Sequence, residues 1–397
     1  MNRSPGPCWL SIIGIGEDGL AGLSLASRKA LDAAEIVFGG PRHLALAAVG
    51  ARGRSWPVPF DVTPVMAERG RAVAVLASGD PFWFGAGGSI VGHLPAGEWT
   101  AYPAPSTFSH AAARLGWRLE ETHCCGLHAA PFERLVPVLS RGAKVLCLVR
   151  DGDAAAALCS WLTAQGWGKT AIIALSSLGG PNEALERATA SQGVRDTTGA
   201  LFIVGLEPEG RQGIPRSSGL PDGAFIHDGQ ITKQPVRALA LSALEPRPGE
   251  RLWDVGAGSG TISVEWALAG GVATAIEQHA ARAANIRANA KAFGLAHKIT
   301  IVEGIVPEAL AILDVPDAVF VGGGLTARSF ETIWSRLPAG TRFVAHAVSL
   351  ETQGLLTDLH GRYAGDLHRF DISHAQPLGR MRSWQAARPI VQWSARK

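Results

Sequence analysis

The residues best suited to chemistry form a glycine-rich loop in the second half of the chain. The loop follows an apolar segment, and a segment with helical spacing, 261–268, begins directly after it. Because glycine has no Cβ, the backbone there can turn tightly and approach a ligand closely. Glu277 follows the next apolar segment, roughly 20 residues past the glycines, where a carboxylate can bind a ribose diol. The loop consists of Asp254, Val255, Gly256, Ala257, Gly258, Ser259 and Gly260.

Two nucleoside cofactors can use such a loop. A dinucleotide fold favours a glycine at the last position of G-x-G-x-x-G, so that the helix packs close to the pyrophosphate, but Thr261 stands there. S-adenosylmethionine has no phosphate, and its ammonium, sulfonium and ribose suit an acid at the strand end and a second acid beyond it. We therefore favour S-adenosylmethionine over a dinucleotide. A glycine-rich turn with no ligand is the third alternative.

Composition restricts the class of protein. A chain of 397 residues with 47% apolar and 18% charged residues is typical of a globular protein with two or three domains. The net charge of +3 argues against a general nucleic-acid binder. No apolar run approaches the ~18 residues that a membrane helix needs. The five cysteines form no C-x-x-C pair, which favours reduced thiols, no zinc site and a cytoplasmic location.

Alternating strand and helix patterns predict an α/β fold in both halves of the chain. A segment rich in Pro, Gly, Arg and Ser separates the halves, so we predict domains at 1–207 and 223–397, joined by a linker at 208–222. In the first half the patterns predict a strand from Trp9, a helix at 23–33, strands at 36–38, 72–77 and 144–149, a helix at 153–165, and strands at 170–175 and 200–205. In the second half they predict helices at 231–242, 261–268, 279–293, 327–337 and 350–360, strands at 251–255, 272–276, 299–302, 317–321 and 342–345, and two more strands within 367–393.

Several segments resemble known families. The first half resembles the tetrapyrrole (corrin/porphyrin) methylases at 13–16, 34–44, 76–85 and 102–106. The second half resembles the methyltransferases that act beside them in vitamin B12 synthesis, at 231–233, 254–260, 264–267, 275–277, 303–304 and 319–324. The resemblance implies a two-lobed tetrapyrrole methylase fold followed by a Rossmann-like class I methyltransferase fold.

The resemblance also implies an activity. The first domain would methylate C5 of precorrin-6Y, and the second would methylate C15 and remove CO2 from the C12 acetate, giving precorrin-8X. Each chain would hold two molecules of S-adenosylmethionine and no metal, and we expect a homo-oligomer. The implied cofactor-binding residues are Gly14, Gly16, Gly79, Asp80 and Pro81 in the first domain and Thr232, Asp254, Gly256, Ala257, Gly258, Ser259, Gly260, Glu277 and Gly304 in the second.

Three side chains in the second domain are candidate catalytic residues: Glu265, His346 and Lys233. For each there is a structural alternative, namely a paired carboxylate, a core histidine and a solvated lysine. Further candidate cations for a substrate rich in carboxylates are Arg42, Arg237 and Arg328. Two other functions stay open at this point: methylation of RNA or another macromolecule, and a non-catalytic binding role for the first domain.

Overall fold

The computed structural model describes residues 8–195, 202–311 and 313–397. The chain divides into two compact units. Unit one contains the residues before 214 except 133–137, and unit two contains 214–397 together with 133–137. The division therefore lies inside the segment that the sequence predicts to be a linker.

The first lobe of unit one is a five-stranded parallel sheet in the order β3-β2-β4-β1-β5. Its central strands are almost continuously buried, as expected for parallel strands with both faces covered. The strands are β1 (Leu10–Ile15), β2 (Ile36–Gly39), β3 (Gly53–Ser55), β4 (Val73–Ser78) and β5 (Trp99–Tyr102). The helices are α1 (Leu25–Ala33), α2 (Pro41–Leu46), α3 (Thr63–Met66) and α4 (Ala86–Val91).

The second lobe is a mixed sheet in the order β6-β7-β10-β8-β9. Helix α5 (Thr107–Leu115) connects the lobes; the Ser106 side chain caps its first turn, and Gly116 ends it in the left-handed conformation. The other elements are β6 (Thr122–Gly126), β7 (Lys144–Val149), α6 (Gly152–Ala164), β8 (Ala171–Ser176), β9 (Ala184–Thr189) and β10 (Phe202–Glu207). The two-lobed fold is confirmed. Residues 200 and 201 of the predicted strand at 200–205 lie outside the described residues.

Unit two is built on a seven-stranded sheet in the order β13-β12-β11-β14-β15-β19-β16, in which the first five strands are parallel and β19 is antiparallel to both of its neighbours. The expected Rossmann-like fold is confirmed. Its strands are β11 (Arg251–Val255), β12 (Val272–Glu277), β13 (Ile299–Glu303), β14 (Ala318–Val321), β15 (Arg342–Ala347), β16 (Asp366–Phe370) and β19 (Ile390–Arg396). Its helices are α7 (Gln234–Leu244), α8 (Thr261–Leu268), α9 (Ala280–Ala292), α10 (Ala327–Arg336) and α11 (Leu350–Tyr363).

The end of the chain differs from the prediction, because four strands occur where two were expected. Strands β16 and β19 close the sheet, while β17 (Ser373–Leu378) and β18 (Met381–Ala386) form a separate hairpin. All residues of that hairpin are exposed, including Trp384. A strand exposed on both faces has no alternation between apolar and polar residues, so the pattern did not reveal it.

The segment predicted to be a linker is bound to the two units. Gly213 forms a β-bridge with Ser140 in unit one. Ile214 packs against the core of unit two, and Leu220 is only 4% exposed within that core. Ile214 and Leu220 therefore pack against unit two, whereas residues 215–218 between them are exposed.

We predict that a fragment of residues 218–397 folds. A fragment of 223–397 should be less stable by about 3 kcal/mol or more, because it loses the burial of Leu220 and the backbone groups of residues 219 and 220 that bind the buried Arg237–Glu265 ion pair. Urea unfolding of the two fragments measures this difference. Equal stability would show that residues 218–222 are dispensable for folding.

Candidate functional site

The carboxyl ends of the parallel strands in unit two surround a pocket of about 690 Å³. This is the edge at which open α/β sheets bind ligands. The pocket is lined by the following residues that the sequence predicted for the site: Thr232, Lys233, Asp254, Gly256, Ala257, Gly258, Glu277, Gly304 and His346. The structure thus brings together residues from positions more than 100 apart in the chain.

The glycine loop forms the floor of this pocket. Gly256, Gly258 and Gly260 all adopt left-handed conformations, with φ of 66°, 58° and 73°. Gly260 is needed for packing, because a Cβ there would lie 2.8 Å from Cγ2 of Ile286 on α9. Neither Ser259 nor Gly260 lines the pocket. These two predicted residues therefore belong to the loop but do not face the pocket.

Asp254 is the penultimate residue of β11 and is 1% exposed. Its Oδ2 accepts hydrogen bonds from the backbone N–H of Ser263, at 3.2 Å, and from the Ser263 hydroxyl, at 2.6 Å. The carboxylate therefore satisfies an N–H group in the first turn of α8. Burial raises the pKa of Asp254 to about 6, the Ser263 hydrogen bonds oppose this rise, and the negative charge of Glu277 adds to it.

Glu277 ends the neighbouring strand β12 and is 3% exposed. Its Oε2 accepts from the N–H of Gly258 at 2.8 Å, and its Oε1 accepts from the N–H of His279 at 2.9 Å. Each carboxylate oxygen has further lone pairs for a ligand. Glu277 thus binds the glycine loop and presents negative charge to the pocket at the same time.

His346 lies near the end of β15, where it is 2% exposed. Its Nε2 lies 2.9 Å from Oε1 of Gln392, and its ring meets the ring of Phe320 edge to face at 5.0 Å. Since an amide oxygen only accepts, Nε2 carries the proton and Nδ1 is a proton acceptor. Burial lowers the pKa of His346 to about 4, although the Gln392 hydrogen bond raises it, so the ring is neutral at pH 7.

Lysine and arginine side chains have different positions relative to this pocket. Lys233 lies at its edge with a 58% exposed side chain, and its Nζ is 3.7 Å from Oδ2 of Asp222. Arg282 also lines it and is bound to Asp228 at 2.8 Å. Arg328 does not line it. Lys233 is therefore the predicted cation that the structure brings to the pocket.

Glu265 is not brought to the pocket. It lies on α8, 5% exposed, and its carboxylate binds Arg237 and two backbone N–H groups. Arg237 is completely buried, so it is not available to a substrate carboxylate. The structural alternative, a paired carboxylate, is the arrangement found, because α8 turns Glu265 toward α7. We therefore do not carry its predicted catalytic role forward.

Unit one contains a cavity of about 340 Å³ between its two sheets. It is lined by 76–78 at the end of β4, by 83–86, and by 148–150 at the end of β7. The predicted residues Gly14, Gly16, Gly79, Asp80 and Pro81 do not line this cavity. Gly14 lies within β1, and the other four lie in the loops that follow β1 and β4.

Backbone packing accounts for two of those residues, and a turn accounts for a third. A Cβ on Gly14 would overlap the carbonyl oxygen of Gly79, and Gly79 has a φ of 56° close to Pro105. Asp80 Oδ1 accepts from the N–H of Phe82 at 2.8 Å, which closes a local turn. Close approach of backbone segments therefore requires the lack of a Cβ at Gly14 and Gly79, and the cofactor-binding role of all five residues stays a prediction.

Arg42 also has partners within unit one. It pairs with Glu17 and donates to the Ser78 hydroxyl at 2.9 Å. His43 Nε2 lies 2.8 Å from the same hydroxyl, and burial together with the Arg42 charge lowers the pKa of His43 to about 4. Ser78 and His43 line the cavity, so this network forms part of its wall.

Several residues of the pocket in unit two were not predicted from the sequence. The loop 322–324 after β14 lines it, and so do Gln230, Ile305 and Phe320. This loop could have been predicted, because ligands bind at the carboxyl ends of parallel strands and β14 adjoins β11 in the sheet. Gln230 and Ile305 belong to no sequence motif that would have predicted them as site residues. Among the described residues, no group of three or more His, Cys, Asp or Glu side chains is arranged to hold a metal ion, and no helix is long and apolar enough to cross a membrane.

Comparison with known proteins gives matches to both halves. A family model for tetrapyrrole (corrin/porphyrin) methylases matches residues 10–192, and a model for the precorrin methyltransferase domain matches 223–397. The chain is 42% identical, over 97% of its length and 96% of the relative, to a Sinorhizobium protein named precorrin-6Y C(5,15)-methyltransferase (decarboxylating). A protein of the same name from Mycobacterium tuberculosis (strain CDC 1551 / Oshkosh) is 38% identical over 97% of this chain and 99% of its own.

Among solved structures, the C-terminal domain of a precorrin-6Y C5,15-methyltransferase from Rhodobacter capsulatus is 53% identical. It covers 46% of this chain and 100% of its own, with a TM-score of 0.46.

The two family models define the class of protein, an enzyme that joins a tetrapyrrole methylase domain to a precorrin methyltransferase domain. Both relatives align over nearly the whole chain at more than 30% identity. The chain therefore belongs to the family of decarboxylating precorrin-6Y C5,15-methyltransferases.

We predict that Asp254→Asn stabilises the ligand-free 218–397 fragment at pH 7 by up to about 3 kcal/mol. The pKa of about 6 in the folded state lies above the ordinary 3.8, so the folded state binds the proton more tightly and wild-type stability falls as pH rises from 4 to 6. The gain should therefore be present above pH 6 and absent below pH 4. Urea unfolding across this range measures it.

Asp317→Asn is the matched control for this substitution. Asp317 is an exposed carboxylate that accepts a backbone N–H from Arg251 at 2.7 Å in the same sheet. We expect no gain in stability at pH 7 from this control. A gain of the same size in both variants would contradict the role assigned to the burial of Asp254.

Proposed function

We propose that this chain methylates precorrin-6Y at C5 and C15 with S-adenosylmethionine and releases the carboxyl group of the C12 acetate as CO2, giving precorrin-8X. The names of the two full-length relatives support this activity. The matches to both halves also favour it over a methyltransferase acting on RNA with a non-catalytic first domain.

The choice of cofactor rests on the position of the Asp254 carboxylate, which lies against the first turn of α8. A dinucleotide places its pyrophosphate at the helix N-terminus after the glycine loop. Here the N–H of Ser263 in that turn already donates to Asp254, and the N–H of Gly258 already donates to Glu277. Two buried carboxylates repel a pyrophosphate and attract an ammonium and a sulfonium. The pocket therefore fits S-adenosylmethionine.

The residues that would hold the cofactor follow from this charge distribution. Glu277 would accept hydrogen bonds from the ribose hydroxyls, and Asp254 would face the ammonium. Thr232 and Gly304 would form the side walls, and Gly256 would leave room for close approach of the ligand to the backbone. When bound, S-adenosylmethionine supplies an activated methyl group, so the chain has to provide orientation and exclude water.

The substrate places two demands on the chain. Its many carboxylates need cations, and Lys233 offers an ammonium at the edge of the pocket. When the bond to CO2 breaks, its electron pair passes into the conjugated macrocycle, and uptake of one proton by the remaining CH2 carbon then completes a methyl group at C12. The apolar side chains Ile305 and Val348, each more than half exposed at the pocket, suit the face of a macrocycle.

We assign the proton lost from C15 on methylation to Nδ1 of His346. The hydrogen bond to Gln392 places the ring proton on Nε2, so the lone pair of Nδ1 is free to accept. A pKa of about 4 keeps this nitrogen unprotonated throughout the neutral range. His346 thus acts as a general base.

A second cofactor site would lie in unit one, in the cavity between its two sheets. The match to the tetrapyrrole methylases over residues 10–192 supports two sites per chain. The first domain (1–207) would then act on C5 and the second domain (223–397) on C15 and the acetate. The homo-oligomer, the cytoplasmic location and the absence of a nucleic-acid partner stay predictions.

We predict that Glu277→Ala separates the two activities. With S-adenosylmethionine and precorrin-6Y, mass spectrometry of the wild-type product should show two added methyl groups and loss of CO2. The variant should add a single methyl group and keep the CO2, because only the site in unit two is disabled. Titration calorimetry should detect two bound cofactors per wild-type chain and one per variant chain.

Glu303→Ala is the control for this experiment. Glu303 ends β13 in register with Glu277, but it pairs with Arg287 and does not line the pocket. It should retain both activities. If Glu277→Ala still gave the doubly methylated, decarboxylated product, the assignment of the pocket would be wrong.

We predict that His346→Asn slows C15 methylation by about 100-fold or more while the affinity for S-adenosylmethionine stays within about twofold. Asparagine can still donate to Gln392, but it has no basic nitrogen. The wild-type rate should show no ionisation of this base between pH 6 and 8. His360→Asn, at a half-buried histidine outside the pocket, should leave the rate unchanged. A full rate in His346→Asn would exclude the general-base role.

A further inference from the structure

A buried ion pair connects α7 to α8 in unit two. Arg237 is fully buried, the Glu265 side chain is 4% exposed, and Nε of the arginine lies 2.6 Å from Oε1 of the glutamate. The guanidinium carbon also lies 4.9 Å from the centre of the Phe225 ring. Burying both charges requires that nearly every donor and acceptor in the pair find a partner.

Besides the carboxylate of Asp222, those partners are backbone groups at both ends of residues 219–233, which we call the entry segment. At its start, the N–H groups of Gly219 and Leu220 donate to Glu265 at 2.6 and 2.9 Å. Arg237 donates to the carbonyl oxygen of Leu220 as well. At its end, the carbonyl oxygen of Thr232 accepts from the same guanidinium. The ion pair therefore closes the entry segment into a loop.

The end of the entry segment forms a wall of the cofactor pocket. Residues 230–233 line the pocket. The carbonyl oxygen of Gln230 lies 3.3 Å from the place where a Cβ of Gly258 would be. Asn289 bonds to both backbone groups of Ile226 and to the carbonyl oxygen of Ser259, which links the entry segment to the glycine loop. A shift of the entry segment therefore changes the shape of the pocket.

We propose that Arg237 and Glu265 are positioning residues for the methyl transfer in unit two, because they hold the entry segment against the glycine loop and so set the affinity for the cofactor. This inference rests on the proposed function of the pocket. An apolar pair of similar volume can match a buried ion pair in stability, but it cannot bind backbone groups at both ends of the segment. Lysine at 237 keeps the charge and loses the planar fork that reaches Glu265, Leu220 and Thr232 together.

The chain offers a matched control in Arg342. This arginine is 5% exposed, donates to the carbonyl oxygen of Leu244 at 2.7 Å, and pairs with Glu250. Its guanidinium lies 6.0 Å from the centre of the Trp266 ring. It does not line the cofactor pocket or bind the entry segment. Arg342→Lys thus imposes a similar structural loss away from the pocket.

The first test compares Arg237→Lys with Arg342→Lys in the full chain. For C15 methylation, we expect Arg237→Lys to raise KM for S-adenosylmethionine at least about tenfold with kcat changed less than about threefold, and Arg342→Lys to change KM less than about twofold. A loss that is only structural would lower the active fraction, and hence kcat, in both variants. Equal KM values in the two variants would overturn the proposal.

The second test needs no cofactor. Hydrogen exchange followed by mass spectrometry should show amides 226–234 exchanging at least about tenfold faster in Arg237→Lys than in wild type, and unchanged in Arg342→Lys. Unchanged exchange in Arg237→Lys would overturn the positioning role. If exchange rises as expected but wild type and Glu277→Ala bind the cofactor equally, the proposed function of the pocket is wrong while the positioning of the segment stands.

Should Arg237→Lys not fold, Asp222→Asn provides a milder variant. Asp222 accepts from Arg237 at 3.1 Å and from the N–H of Gln234 at 2.9 Å, and its side chain is 27% exposed. The same faster exchange is expected at 226–234 with a smaller rise in KM. An unchanged exchange rate in this variant would count against the proposal in the same way.

Discussion

The constraint on which unit two depends is the burial of two carboxylates at one edge of its sheet. Asp254 and Glu277 lie within the last two residues of neighbouring parallel strands, and backbone N–H groups of α8 and of the loop bind their carboxylates. Burying negative charge is unfavourable, which is why the pKa of Asp254 rises to about 6. A cationic ligand relieves this cost, whereas an anionic one increases it. The same two residues thus stabilise the loop and make the pocket more favourable for a cationic ligand than for an anionic one.

The contacts of the entry segment show that unit two also buries charge away from the pocket. Helix α8 is apolar on nearly all sides and is buried between the sheet and α7. Its one acidic side chain, Glu265, faces away from the pocket and is neutralised by Arg237. The carboxylates of Asp254 and Glu277 at the pocket are therefore separate from the Arg237–Glu265 ion pair. Of these charged groups, only the two carboxylates are open to a ligand. This separation explains why a carboxylate beside the glycine loop in sequence need not be catalytic.

Each unit has a cavity that is lined by the ends of sheet strands, although the folds of the units differ. In unit two the pocket lies at the carboxyl ends of parallel strands, and in unit one the cavity is lined by the ends of β4 and β7. In both units a loop with glycines brings backbone segments close together. Gly14 and Gly79 do this in unit one through contact between two strand ends, so their lack of a Cβ is needed even where they do not line the cavity.

Much of the architecture could be predicted from local sequence patterns. Helix α8 begins and ends at the predicted residues, and most other predicted strands and helices agree to within a few positions. These elements are buried on one or more faces, so their apolar residues recur with the period of the element. The hairpin of β17 and β18 lacks that periodicity because it is exposed on both faces, and the supposed linker contains Leu220, whose burial depends on a distant helix.

The sequence by itself determined which residues could form the glycine loop and which acids would stand at the two strand ends, because strand, turn and helix follow one another there within a few residues. Only the tertiary structure decided where Glu265, Arg237 and Lys233 lie: all three are charged, but the first two form a buried ion pair and Lys233 is largely exposed at the pocket. Side-chain direction and burial depend on contacts between elements far apart in the chain. The residues that local geometry controls were therefore predictable, and those whose partners come from elsewhere were not.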